Sequence, residues 1–270
     1  MKKEFAFVNG DIMPIHKAKI GITDLGLLRG YGIFDFFRAI DGKTIYLENH
    51  LDRFARSMGF MHMESPFSRD FLRENILKIA ELNAAPLIGL KMIATGGYSP
   101  DGYTPTTPNI LIMGKPFTIP PFEKGLKLML IDHVRDLSEV KTLNYTFPIS
   151  QLLKLNAGHF DDVLYFKNNI ISESSRSNVF IVKNGILITP KADILRGVTR
   201  QFLMTLAANE MPVEERDVTV EEVLNADEVF LSGSSKRVAP VVQINDRQFE
   251  SGKFSRVLYD LLLKNEKMGF

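Results

Sequence analysis

The chain contains no cysteine, which removes disulfides, thiolate nucleophiles and zinc–sulfur centres together. Net charge is nearly absent too: 33 basic residues against 32 acidic ones leave +1. No electrostatic footprint for nucleic acid or for an anionic membrane is therefore visible. Long apolar runs are missing. Nothing after Met1-Lys2-Lys3-Glu4-Phe5 is long and apolar enough for a signal peptide or a membrane span, so a soluble cytoplasmic protein is the expectation. There is no GxGxxG or Walker run, and the histidines at 16, 50, 62, 133 and 159 show no paired spacing. No metal site is expected.

What is present suits a globular protein. At 270 residues and 45% hydrophobic composition the chain can bury a sizeable core, and two domains are expected. Strand patterns fall at Phe5 to Val8 and Gly32 to Ile40, where Asp41-Gly42 signals a hairpin leading into Thr44 to Leu47. Leu51, Phe54 and Met58 then recur at helical spacing, with Gly59 as the expected C-cap. A second helix starts after Ser68, and strands follow at Leu87 to Ala94 and Asn109 to Met113. Five prolines between Pro105 and Pro121 suggest a connector, placing the boundary near 115 to 124 and the domains at 1–118 and 119–270. Beyond it come a strand at Leu126 to Ile131, a helix around Pro148 to Asn156, and strands at Val163 to Phe166 and Ser177 to Val182. The last turns at Asn184-Gly185 into Ile186 to Thr189. Short strands and helices without regular βαβ alternation indicate an α+β fold.

Four short runs carry the chemistry: Lys141-Thr142-Leu143-Asn144-Tyr145, Ser172-Glu173, Gly197-Val198-Thr199-Arg200 and Ser232-Gly233-Ser234-Ser235. They supply an amine, a carboxylate and two clusters of amides and hydroxyls. Pyridoxal 5'-phosphate (PLP) requires such a set: a lysine to form a Schiff base with its aldehyde, an acid for its ring nitrogen, and donors around a dianionic phosphate. Gly197-Val198-Thr199 opens a helical pattern continuing through Phe202, Leu203 and Leu206. Its unpaired N–H groups and partial positive charge suit a phosphate, although the same run also reads as a plain helix cap.

In order and spacing these runs resemble the class IV (fold type IV) PLP-dependent aminotransferases, which include branched-chain and D-amino-acid aminotransferases and aminodeoxychorismate lyase. The resemblance covers positions 24 to 240 and implies a small N-terminal α+β domain, a larger pseudo-barrel C-terminal domain carrying Lys141, and a homodimer. It also implies roles. Lys141 would be the catalytic lysine, moving a proton between the substrate α-carbon and the cofactor. Glu173 would face the pyridine nitrogen; Val198, Thr199, Ser234 and Arg53 would hold the phosphate. Tyr145 would bond the cofactor's phenolic oxygen or else pack in the core, and Arg135 could approach the same oxygen. Ser235 would offer an amide to the substrate carboxylate.

Phe34-Asp35-Phe36-Phe37-Arg38 aligns with the Phe-Glu-Gly-Ile-Arg of branched-chain enzymes. Alternation puts Phe34, Phe36 and Arg38 on one strand face, which the resemblance makes the substrate wall. Gly96-Gly97-Tyr98-Ser99-Pro100 lacks the arginine with which the D-amino-acid branch clamps a carboxylate; Lys91 or Arg38 could take over, or be solvated strand cations. Ser174-Ser175-Arg176 and Lys236-Arg237 also depart from the family pattern. The implied activity is amino transfer between a branched-chain or otherwise apolar L-amino acid and a 2-oxo acid. A lyase releasing pyruvate and a PLP-binding protein without turnover are the alternatives.

Overall fold

Asp41 and Gly42, at φ 47° and 79°, form the expected left-handed hairpin turn. The computed structural model describes residues 4–250 and 252–268, in two compact units: 1–118 with 140–145, and 119–139 with 146–270.

The first unit is a six-stranded sheet. Its strands are β1 (Phe5–Val8), β2 (Asp11–Pro14), β3 (Gly32–Ile40), β4 (Lys43–Thr44), β5 (Leu87–Thr95) and β6 (Ile110–Pro116), in the order β2-β1-β6-β5-β3-β4. Helix α1 (Leu25–Arg29) precedes β3, and α2 (Leu47–Phe60) and α3 (Arg69–Leu82) cover one face. Phe37, Ile76, Ile79, Leu90 and Ile112 are buried in this core. Two expectations shift here. β4 is only two residues long, because Leu47 already begins α2, and that helix runs past Gly59 to Phe60. Met58, Met61 and Met63 are all buried, and His62, at φ 51°, takes the left-handed position expected at Gly59. Ser68 caps α3 as read from the sequence, its hydroxyl accepting from the Phe71 amide at 3.2 Å.

The second unit is a nine-stranded sheet. Its strands are β7 (Leu126–Asp132), β8 (Asp162–Lys167), β9 (Ile170–Ser174), β10 (Asn178–Lys183), β11 (Ile186–Pro190), β12 (Val213–Arg216), β13 (Glu228–Gly233), β14 (Arg237–Ile244) and β15 (Arg247–Gln248). The path β10-β13-β14-β7-β8-β9 returns to β10 through one pairing, Glu173 opposite Asn178. These six strands thus make the barrel-like ring of an α+β fold. Leu128, Leu164, Val179, Leu231 and Val241 fill its core. Helix α6 (Val198–Ala207) packs against α8 (Lys253–Met268), and α7 (Val220–Leu224) is short. The single helix expected near 148–156 is instead two, α4 (Thr146–Ser150) and α5 (Leu152–Ala157), interrupted at Gln151. Residues 140–145, including Lys141, belong with the first unit rather than the C-terminal one. The reason is local: they hydrogen-bond to the edge of β3.

Candidate active site

In the first unit the Lys141 segment extends the sheet. Phe34 donates its amide to the Lys141 carbonyl at 2.9 Å, Leu143 donates to Gly32 at 2.9 Å, and Ile33 bridges Thr142. A Cβ at Gly32 would lie 2.6 Å from Leu143 Cδ1 and 2.8 Å from the Ala94 carbonyl, so only glycine lets the segment close onto the strand. This antiparallel register sets Lys141 opposite Phe34, with both side chains on one face. Lys141 Nζ stands 4.7 Å from the Phe34 ring centre, Lys91 Nζ 4.5 Å from it, and the Tyr145 ring 5.7 Å away at a tilt. Phe36 and Arg38 follow Phe34 on that face. Phe34 and Phe36 are partly exposed, whereas Arg38 is buried. A Cβ at Gly89 would meet the Phe36 ring at 2.8 Å, so the glycine makes room for that side chain.

On the opposite face of β3, Asp35 is fully buried against α2. Arg53 reaches its carboxylate through Nε (2.9 Å) and Nη2 (2.8 Å), and His50 Nδ1 lies 2.7 Å from Oδ1. Burial would raise the Asp35 carboxyl, but Arg53 and His50 outweigh it and hold it well below the usual carboxylate range. Ionised Asp35 can only accept, so His50 Nδ1 carries the proton. Burial keeps the His50 ring neutral against the pull of Asp35, with Arg53 and Lys141 also opposing its protonation. Asp35 and His50 were not read from the sequence as partners of Arg53. The available signal was the i, i+3 spacing of His50 and Arg53, which puts both on the α2 face toward β3.

In the second unit Glu173, on β9, accepts hydrogen bonds from Arg135, Leu195 and Asn178. Arg135 Nε reaches Oε1 at 2.8 Å, while the Leu195 amide (3.1 Å) and Asn178 Nδ2 (3.2 Å) reach Oε2. Arg135, read from the sequence as able to approach a cofactor oxygen, here meets the acid. Its Nη2 also binds the Ser138 carbonyl at 2.7 Å, which fixes its direction. Asn178 additionally donates to the Leu195 carbonyl at 2.7 Å and packs against Gly197, where a Cβ would lie 2.2 Å from its Oδ1. Glu173 and the start of α6 are therefore braced by one amide side chain.

Gly197 is the N-cap of α6 and offers no side-chain cap; no acid occupies the first turn. Val198 and Thr199 are buried there. Arg200, also buried, ties the helix to β11 and β12 through the Pro190 carbonyl (2.8 Å) and Glu215 (3.2 Å). Ser234 and Ser235 occupy the turn between β13 and β14, closed by the Lys236 amide on the Gly233 carbonyl at 3.0 Å. Lys236 Nζ bonds Ser177 Oγ at 3.1 Å and faces Asp162 at 3.7 Å, so this turn is anchored to the segment following Glu173. Arg237, at φ 62°, pairs with buried Glu266 at 2.8 Å.

The donor set fits PLP on its own terms. An uncapped ten-residue helix begins at a glycine, a buried carboxylate is paired with a guanidinium, and Ser232 Oγ, just before the Ser234 turn, is buried without a hydrogen-bond partner among the described residues. The model of the amino-transferase class IV family matches residues 32–244. A D-alanine aminotransferase from Staphylococcus haemolyticus is 28% identical over 94% of this chain and 94% of that protein. A putative branched-chain-amino-acid aminotransferase from Methanocaldococcus jannaschii is 29% identical over 89% of this chain and 88% of its own length. The fold is that of the T.th. branched-chain amino acid aminotransferase complexed with N-(5'-phosphopyridoxyl)-L-glutamate, with a TM-score of 0.93 at 22% identity, covering 100% and 96% of the two chains. With lysine, acid and uncapped helix in family order and the family match spanning most of the sequence, this chain belongs to the PLP-dependent class IV aminotransferases.

Proposed function

We propose that the chain moves an amino group between an apolar L-amino acid, branched-chain ones included, and a 2-oxo acid. The observation that carries this reading is the register pairing Lys141 with Phe34, which puts an amine and an aromatic wall on one sheet face. When bound, PLP supplies an electron sink for the pair left on the substrate α-carbon. Lys141 Nζ would hold the cofactor and carry the proton to and from that carbon. Glu173, paired with Arg135, would hold the proton on the ring nitrogen. The Val198 and Thr199 amides, the Thr199 and Ser234 hydroxyls and Arg53 would bind the phosphate. For Arg53 the support is that Asp35 occupies Nε and Nη2, while Nη1 hydrogen-bonds to no described residue. Tyr145 would reach the phenolic oxygen, Ser235 would give an amide to the substrate carboxylate, and Phe34 and Phe36 would flank its side chain. Ile22, Leu27 and Tyr103, 79%, 67% and 81% exposed, support a homodimer that covers them.

A spectral titration of the PLP-loaded protein with an amino-acid panel, with glutamate formation from leucine and 2-oxoglutarate as the turnover assay, tests the reading. Lys141→Ala should abolish turnover and the visible band of covalently held cofactor while phosphate-dependent PLP binding persists. Unchanged turnover in that variant defeats the mechanism. Pyruvate release from aminodeoxychorismate would make the protein a lyase, and a cofactor band unmoved by every donor would make it a binding protein without turnover.

A further inference from the structure

Lys236 departs from the family pattern, and the proposed reaction gives it no task. It closes the turn between β13 and β14, whose Ser234 and Ser235 hydroxyls hydrogen-bond to nothing among the described residues. Its own side chain is only 14% exposed. Nζ donates to Ser177 Oγ at 3.1 Å and stands 3.7 Å from Asp162 Oδ2. Asp162, buried at the start of β8, accepts through Oδ1 from the Val163 amide and from Ser175 Oγ, whereas its Oδ2 is buried with no hydrogen-bond partner among the described residues. The ammonium is the countercharge facing that oxygen. Burial pushes the Lys236 amine below its ordinary value and Arg176 also opposes its charge, although Asp162 pulls the other way. A desolvated pair at such a distance adds little net stability; what it fixes is an arrangement of the chain.

That arrangement joins two parts of the cofactor site. Ser175 and Ser177 lie on the segment that leads from Glu173 into β10, and Asn178 pairs with Glu173 on one side and with Ser232 on the other. The ladder between β10 and β13 ends at Ser232, so beyond it the turn meets the Glu173 segment through the Lys236 side chain. We propose that Lys236 is a positioning residue: linked to Ser177 and Asp162, it holds the Ser234–Ser235 turn at the distance from Glu173 that lets one PLP molecule meet the turn with its phosphate and the acid with its ring nitrogen. This rests on the cofactor-binding part of the reading above, not on amino transfer. A loop can shift while the sheet beneath it stays folded, and a displacement of about 1 Å is enough to spoil a binding contact.

The test compares the affinities of the full chain, freed of cofactor, for PLP and for pyridoxal, which lacks the phosphate. The variants are Lys236→Met, Lys236→Arg and the double variant Lys236→Met/Asp162→Asn. In Lys236→Met the affinity for PLP relative to pyridoxal should fall about tenfold, as expected for losing one charge-assisted contact. The phosphorus resonance of bound PLP should move as well. Lys236→Arg, which keeps the charge facing Asp162, should retain most of the wild-type ratio. Lys236→Met strands the Asp162 charge; if it fails to fold, the double variant removes both charges and should show the same fall in ratio. PLP and pyridoxal weakened alike, or a lowered Tm with an unchanged ratio, would show a structural role only and overturn the proposal. So would a wild-type protein that holds pyridoxal as tightly as PLP, because the turn would then meet no phosphate. If no amino donor turns over while the ratio falls in Lys236→Met and returns in Lys236→Arg, the amino-transfer reading fails and the Lys236 assignment stands.

Discussion

Asp35 shows how one side chain can set the direction of another. It occupies the strand position between Phe34 and Phe36, so alternation turns it away from the aromatic wall and into the helix-covered face. An unpaired carboxylate there would be costly, and the bidentate contact from Arg53 with the single contact from His50 offsets that. His50 remains neutral because it is buried, stacked 5.1 Å from the Phe37 ring and beside Arg53. Its folded-state pKa therefore lies below the ordinary 6.5. Between those two values the unfolded chain binds a proton that the folded chain refuses, so stability is fully present above about pH 6.5 and declines as the pH falls toward the folded value. Chemical unfolding followed from pH 8 to pH 5 should show this decline, and His50→Gln should flatten it. A profile in His50→Gln as steep as the wild type's would mean that other groups carry the dependence.

At the level of elements, the sequence was most legible where local rules and tertiary packing agree. β1 and β3 match their expected bounds because hydrophobic runs end at left-handed turns, Asn9-Gly10 and Asp41-Gly42. Helix α3 starts where Ser68 caps it. Failures occur where long-range packing decides. Gly59 reads as a helix stop, yet the helix continues because Met61 has a buried place to go. The Lys141 run contains no strand signal of its own; it joins the first sheet because Gly32 and Phe34 offer an open edge far away in sequence. The four motif runs were legible because each is short and sequential, whereas Arg135 on Glu173 and Asp35 on Arg53 are contacts that only the fold brings about. Gly197 was readable as a helix start, but its second duty was not: it leaves space for Asn178. A methyl group there would sit 2.2 Å from Asn178 Oδ1 and push the amide off Glu173 and Leu195. Gly197→Ala should therefore destabilise the protein by about 1–3 kcal/mol, the usual cost of overpacking a filled site. It should also weaken PLP binding in a fluorescence titration. Retained affinity would show that the brace between β9 and α6 is dispensable.

Among the described residues each unit has its own main hydrophobic core, one around Phe37 and Ile76 and one around Leu128 and Leu231, with a smaller cluster at Leu155, Val163 and Tyr165. The second is enclosed by strands that close on themselves at one point only, the Glu173–Asn178 pairing. Closure removes exposed strand edges, and here it falls on the two residues that also hold the acid in place. A single backbone pairing is a weak seam, and the side chains reinforce it. Asn178 spans Glu173 and the Leu195 carbonyl, and Arg135 and the Leu195 amide also hold the acid. Asn178→Ala removes the central member: the buried Leu195 carbonyl loses this donor and Glu173 Oε2 keeps the Leu195 amide but loses Asn178, a loss of about 1–3 kcal/mol if the carbonyl is left unsatisfied. Because the seam lies between β9 and β10, amide hydrogen exchange in this variant should quicken first in β8, β9 and β10. The β3–β5 ladder, which encloses the other core, should keep its wild-type protection. Uniform acceleration across both sheets would instead mean that the two cores open as one cooperative body and that the seam has no local role.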